Sequence, residues 1–334
     1  MNKDKKRLLT IVIPCFNAEK YFERCVTSLE GINSDMVTIL FVNDGSTDST
    51  QFLIDNWRQN HPNSFVINKE NGGYSSAINA GLDNCKSEYV MFMGVDDELV
   101  SDEINNICSH LQKNNPDILV FSTKKIYDEQ DDTFTPGGID VYTKFVNPGL
   151  YELDLYSLYN RIGQDSLILF TRDTSRCFKT KVIGEIRYFG KRGVSSDGCF
   201  SSMVASKSKS FEFVNEVCYL WHLHKDSVSS KKTTLEGIEE ELNIWSKFFS
   251  WVAFSFPIKG IPSPIIIYLL EYRRRANLVY DEGRIDLGSE HKKNVHKISK
   301  NILANYSISL KDRFKLMHPL IYEIYINVVR QARH

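Results

Sequence analysis

The chain has 334 residues, with 41 Lys and Arg against 42 Asp and Glu, a formal net charge of −1. That balance excludes the strongly basic surface of a nucleic-acid binder. A composition that is 42% hydrophobic and 12% aromatic excludes a disordered chain. The seven cysteines, at 15, 25, 85, 108, 177, 199 and 218, are odd in number and form no C-x-x-C pair. Several fall inside apolar segments, as buried free thiols do, which fits a reducing, cytoplasmic setting. The basic N-terminus is followed by an apolar run at 8–13 that is too short for a signal peptide. The longest later apolar run, 265–270, falls far below the roughly 20 residues of a membrane span, so no transmembrane helix is expected.

Residues 9–13 are β-rich and end at Pro14, which predicts a first strand. Phe22, Cys25, Val26 and Leu29 then follow the i, i+3, i+4, i+7 spacing of an amphipathic helix. A second strand at 37–42 closes in Asn-Asp-Gly-Ser-Thr-Asp-Ser (43–49). This turn and N-cap cluster opens a helix marked by Phe52, Leu53 and Trp57. A short third strand at 65–67 is broken by Asn71-Gly-Gly73, and Tyr74, Ile78, Leu82 and Cys85 mark the next helix. Residues 89–93 are continuously apolar, the mark of a strand buried on both faces of a parallel sheet. Ile104, Ile107, Cys108 and Leu111 mark another helix, and 118–121 a fifth strand. This alternation predicts an α/β fold: a mainly parallel sheet with helices on both faces.

Residues 128–149 are polar and rich in Gly, Pro and Asp, an exposed excursion. Short elements around Phe170, Phe178, Phe189, Phe200, Phe211 and Tyr219 fill 150–230. Beyond 230 the pattern turns helical, over 235–256, 265–280 and 310–330. The expected organisation is a first half at 1–125, a second half of the same domain at 126–232, and a C-terminal helical appendage at 233–334.

Every polar cluster of the first half falls where a strand ends: Asn17, Asp44, Asn71-Gly-Gly73 and Asp96-Asp97. In open α/β sheets these ends define one ligand crevice. Asp96 or Asp97 alone could cap the helix that follows, but capping needs only one residue. A carboxylate pair suits a hard divalent cation that also holds phosphate oxygens. No G-x-G-x-x-G and no P-loop follows the first strand, where Pro14-Cys-Phe-Asn17 stands instead. That argues against a dinucleotide site, a kinase-type phosphate site and a nucleotidyltransferase loop. A metal-bridged diphosphate is the reading that remains.

Four strings carry a resemblance. They are Thr-Ile-Val-Ile-Pro-Cys-Phe-Asn-Ala-Glu-Lys-Tyr (10–21), Val-Asn-Asp-Gly-Ser-Thr-Asp-Ser (42–49), Asn-Gly-Gly-Tyr-Ser-Ser-Ala-Ile-Asn-Ala-Gly-Leu (71–82) and Glu-Tyr-Val-Met-Phe-Met-Gly-Val-Asp-Asp (88–97). In order and spacing they resemble the motifs of family 2 glycosyltransferases of the GT-A fold, a Rossmann-like architecture. Weaker matches follow at Arg176-Cys-Phe-Lys179, Ser196-Asp-Gly-Cys-Phe200 and 219–227. The chain departs from the family at Gly94, where a first Asp is common, and at Ser196, where Glu commonly precedes the base.

The resemblance implies an inverting, metal-dependent transfer of a sugar from a nucleoside diphosphate sugar, a UDP-sugar first among them. The acceptor would be a saccharide or a lipid-linked saccharide, in synthesis of a bacterial surface polysaccharide such as a capsule. Pro14, Phe16, Asn17, Asp44, Gly73 and Asp96 would hold the donor nucleotide. For Pro14 and Phe16 core packing is the competing reading, and for Asp44 an N-cap. Asp96 and Asp97, with His224, would hold Mn²⁺ or Mg²⁺, and Asp197 would be the general base. His222 and His224 alternate as on a strand; either could face the diphosphate or be a structural histidine. A non-catalytic nucleotide-sugar-binding partner protein of the same fold is the alternative, and Gly94 is its support.

From 291 onward nine Lys and Arg stand against Asp312 and Glu323, an excess of seven positive charges. Interleaved with Phe314, Leu316, Leu320, Ile321, Tyr325 and Val328, they describe a basic amphipathic helix. Such a helix suits the anionic inner face of a cell membrane, a packed position on the body, or a homodimer contact. Truncation after Ser289 is expected to reduce sedimentation with anionic liposomes while sparing donor hydrolysis. Equal binding with and without the tail, at low and high salt, would favour the packing or dimer readings.

Overall fold

The computed structural model describes residues 7–127, 145, 147–162, 169, 173–191 and 196–224, with scattered positions between 237 and 251. The chain divides into two compact units, Met1–Lys232 and Thr233–His334. In the second unit the described positions are helical, with Ile244, Trp245 and Phe248 buried. The segments expected at 265–280 and 310–330, the excursion at 128–144 and the basic tail lie outside the described residues.

In the first unit β1 (Leu9–Cys15) is followed by α1 (Glu19–Thr27), β2 (Val37–Asp44), α2 (Thr50–Arg58), β3 (Ser64–Lys69), α3 (Tyr74–Asn84) and β4 (Tyr89–Phe92). Strand and helix alternate here as the apolar spacing requires. β4 is buried at every position and β1 at all but Pro14, because helices cover both faces. α1 sets Phe22, Cys25 and Val26 into the core. α2 differs from expectation: Thr50 and Ile54 form its buried face, while Phe52 points outward, 71% exposed. Six of the seven cysteines are buried and all seven are free.

β5 (Glu98–Leu99), α4 (Ser101–Asn114), β6 (Ile118–Tyr127), β7 (Gly149–Tyr151), α5 (Leu155–Ile162), β8 (Arg176–Lys179), α6 (Thr180–Ile183), α7 (Ser196–Lys207) and β9 (Phe211–Leu223) complete the unit. The described strands form one sheet of order β3-β2-β1-β4-β8-β6-β9-β5, with β7 also on β9. β1 to β4 are mutually parallel, so their C-terminal ends share one edge. Beyond β4 the sheet is mixed, because β8 runs antiparallel between β4 and β6. β9 runs parallel to β6, with register shifts between Val120 and Thr123, and then pairs antiparallel with β5. Glu98 lies opposite Leu220 and Leu99 opposite Tyr219. This two-residue pairing carries residues 219–224 back to the turn that follows β4. Behind β4, Phe92, Phe178, Tyr188 and Phe200 form an aromatic cluster with centroids 4.3–5.9 Å apart.

One glycine fixes how closely α3 approaches the sheet. A Cβ at Gly81 would stand 2.4 Å from Cγ1 of the buried Val12. Gly81→Val should therefore overpack this contact and cost roughly 1–3 kcal/mol. The check is urea unfolding, with a lowered midpoint at unchanged slope.

Candidate active site

The turn after β4 splits its two aspartates. Asp97 faces inward and is buried, one carboxylate oxygen accepting from the Tyr219 hydroxyl and the other from the His222 backbone N–H at 2.8 Å. Burial, and then the charge of Asp96, push its carboxyl well above the usual range. Asp96 faces the crevice with its side chain 33% exposed, its Oδ2 3.1 Å from Nε2 of His224. Nδ1 of that histidine lies 3.1 Å from the Tyr21 hydroxyl, and the two rings stack at 4.6 Å. His222 turns to Glu98, with Nε2 2.6 Å from Oε1. Asp97, expected among the metal ligands, thus accepts one hydrogen bond on each oxygen from β9, because β5–β9 pairing brings those donors to it.

Gly94 lies against both carboxylates. A Cβ there would stand 2.7 Å from Oδ1 of Asp96 and 2.8 Å from Oδ2 of Asp97. Its N–H donates to the Tyr219 hydroxyl oxygen at 3.0 Å. Among the described residues no group of three His, Cys, Asp or Glu side chains gathers as a metal cage. A divalent cation carried by a diphosphate needs only one or two protein ligands. Asp96 offers an oxygen on the crevice side, with the Nε2 of His224 3.1 Å from it. The donor set fits such a cation.

At the far end of the edge Asp44 is buried. It accepts from Lys69 Nζ at 2.5 Å and from the N–H groups of Gly72 and Gly73 at 3.0 and 2.8 Å. It is not an N-cap; α2 starts from Ser49. Gly73 has φ +83°, and a Cβ there would meet the Lys191 carbonyl oxygen at 2.4 Å, so glycine is required. Asn17, at φ +48°, donates its N–H to Ser46 Oγ at 3.1 Å and accepts the Thr47 N–H at 2.9 Å. The loops after β1 and β2 are thereby stapled together. Beside Asn17, Phe16 is 51% exposed and so is not packed in the core, while Pro14 is half-buried within β1.

Asp197 lies in the first turn of α7 and is partly exposed, its Oδ1 accepting the Gly198 N–H at 2.7 Å. Its charge bears on the hydroxyls of Tyr74 and Tyr188, both pushed up, first of all by burial. Asp173 also acts on them. It is buried, accepts from the Tyr188 hydroxyl, and accepts from the Tyr74 hydroxyl at 3.3 Å. Tyr74 feels Asp97 as well. Residues 74, 97, 173, 188 and 197 therefore meet on one side of the sheet edge. Sequence reasoning missed Tyr74 and Tyr188 as partners of Asp173. Only an aromatic beside Gly73 hinted at the first.

A model for glycosyl transferase family 2 matches residues 10–183, just over half of the chain. The chain belongs to this family. It is 26% identical over 225 residues to the glycosyltransferase GlyA of Streptococcus pneumoniae serotype 4, covering 66% of the chain and 31% of GlyA. It is 24% identical over 247 residues to GlyG of the same organism, covering 73% and 80%. The minor teichoic acid biosynthesis protein GgaB of Bacillus subtilis is 22% identical over 227 residues, 67% of the chain and 24% of GgaB. The match thus spans about a third of GlyA and a quarter of GgaB. Among solved structures, S. aureus TarS 1–349 in complex with UDP-GlcNAc superposes with a TM-score of 0.63 at 16% identity, covering 89% of this chain and 81% of that one. A mannosyltransferase from Pyrobaculum calidifontis in complex with GDP-Man and Mn²⁺ gives 0.51 at 13% identity, covering 96% and 82%. The fold of this family 2 chain is GT-A.

Asp173 yields a pH prediction. Burial raises its carboxyl, against the opposing Tyr188 hydrogen bond and Arg176 charge. A raised folded-state value means the native state binds the proton more tightly. That stabilisation is complete below about pH 4, the unfolded value, and is lost as pH rises through the folded one. Asp173→Asn has no such proton to lose. The parent should lose stability relative to this variant as pH rises above about 4, read by urea unfolding from acid to neutral pH.

Proposed function

We propose that this chain transfers a sugar, with inversion, from a UDP-sugar to a hydroxyl of a saccharide or lipid-linked acceptor. The observation that carries the reading is one edge holding the Asp44–Gly73 cradle at one end and, at the other, the partly exposed Asp96 against the buried His224. That arrangement suits a nucleoside at the first and a diphosphate at the second. Three donors reach Asp44, and a carboxylate has about four acceptor sites, so one is left for a base N–H. Phe16 supplies an exposed ring against the nucleoside, with Pro14 and Asn17 beside it. Asp96 and His224 would hold Mn²⁺ or Mg²⁺, whose charge offsets that of the departing diphosphate. Asp97, the other expected ligand, holds the turn from which Asp96 projects and keeps acceptor sites beyond its two hydrogen bonds.

Asp197 is assigned as general base. It takes the acceptor hydroxyl's proton as that oxygen attacks the anomeric carbon, and the bond from that carbon to the diphosphate oxygen breaks. UDP departs on the opposite face, which gives inversion. Residues up to about 125 form the donor half and those to 232 the acceptor half. TarS with UDP-GlcNAc supports the donor class, and the name of GgaB supports a cell-surface polymer setting. No helix among the described residues is long and apolar enough to cross a membrane. A peripheral place on the inner membrane face rests on the basic tail alone.

The test is Asp197→Asn, which keeps size and hydrogen bonding but removes the base. Donor and Mn²⁺ affinity should be unchanged and transfer should fall roughly 10²-fold or more. Transfer within a few-fold of the parent would place the base elsewhere, with Asp165 and Asp173 the next carboxylates to test. Lost donor binding would make Asp197 structural. A parent that binds UDP-sugar but never transfers it would favour the non-catalytic partner reading.

A further inference from the structure

His224 and Asp96 come from strand ends far apart in sequence, yet one helix touches both. On α1, Tyr21 and Arg24 are three residues apart and so share a face. Tyr21 stacks on His224 with its hydroxyl 3.1 Å from Nδ1, and the rings lie 28° from parallel. Arg24 donates from Nη2 to the backbone carbonyl of Asp96 at 2.5 Å. It also lies 5.8 Å from the centroid of the Tyr21 ring, which ties the two contacts together. The adjoining face of α1 is fixed by Phe22, Cys25 and Val26 in the core. The pair is thus mounted on a rigid element rather than a loop.

We infer that Tyr21 and Arg24 are the positioning residues that set the metal affinity of the Asp96–His224 pair. This rests on the reading of that pair as the cation site. A histidine that binds a metal through Nε2 must carry its proton on Nδ1, and it binds best when that N–H has an acceptor. The Tyr21 hydroxyl can accept as well as donate, so it holds that tautomer while the stacked ring fixes the imidazole plane. Arg24 fixes the backbone from which the Asp96 carboxylate projects.

The experiment measures Mn²⁺ binding to the full chain in the presence of UDP, by calorimetry and by the electron paramagnetic resonance of free Mn²⁺. Metal-free thermal midpoints are taken in parallel. Tyr21→Phe keeps the stacked ring and loses only the hydroxyl. It should weaken Mn²⁺ by roughly 10–100-fold, with the metal-free midpoint unchanged. Tyr21→Leu removes the ring too and should weaken Mn²⁺ further; Arg24→Gln should weaken it as well. His224→Ala and Asp96→Asn test the underlying site. Mn²⁺ affinity within twofold of the parent in Tyr21→Phe and Arg24→Gln, while His224→Ala and Asp96→Asn lose it, overturns the inference and leaves the site standing. Unchanged Mn²⁺ affinity in all four variants overturns both.

Discussion

The return of β9 over the end of β4 is the constraint on which the site depends, and a buried carboxylate holds it. Asp97 accepts one hydrogen bond from a side chain of β9 and one from its backbone, at Tyr219 and His222. A buried carboxylate without donors would cost several kcal/mol, whereas donors that reach it in a dry interior bind strongly. The two strands are therefore locked in one register. That register decides everything beside it. It sets His222 against Glu98, aims His224 at Asp96, and brings the Tyr219 hydroxyl under the Gly94 N–H. A slip of one residue in β9 would turn Tyr219 to the other face and leave Asp97 without its donor.

Asp44 applies the same physics at the other end of the edge. Its donors are a lysine and two consecutive glycine N–H groups. The carboxylate fixes the turn that opens α3, and that turn in turn presses against residue 191. Both buried aspartates thus organise backbone first, and what they leave exposed is separate: Phe16 near Asp44, and Asp96 near Asp97. Rigid inner groups hold outer groups in place.

The parallel half of the fold was legible because each of its strands carries a short β-rich apolar run and most helices between them carry a clear stripe. The mixed half was not. β5 has two residues, and β8 begins at Arg176, a fully buried arginine that no apolar pattern would place in a strand. β9 is thirteen residues long, but its partner shifts register midway, which no local spacing records. Within the site, placement at strand ends was readable for Asn17, Asp44, Gly73, Asp96 and Asp97. The division of labour between Asp96 and Asp97 was not, because adjacency in sequence does not say which neighbour turns inward. The answer lies 122 residues away, at Tyr219. The clustering of Tyr74, Asp173 and Tyr188 was hidden for the same reason.

Gly94 shows how a departure from a family pattern can be read physically rather than as decay. A side chain there would have to enter the space beside Asp96 and Asp97, within 2.7 and 2.8 Å of their oxygens. Asp97 cannot give way, since both its oxygens are tied to β9. Asp96 could, but only by turning from His224. A carboxylate at 94 would add a third negative charge to a group in which Asp96 already raises the proton affinity of Asp97. Glycine avoids both the clash and the added charge. It also lets the backbone N–H reach Tyr219, so the residue that lacks a side chain helps hold the clamp.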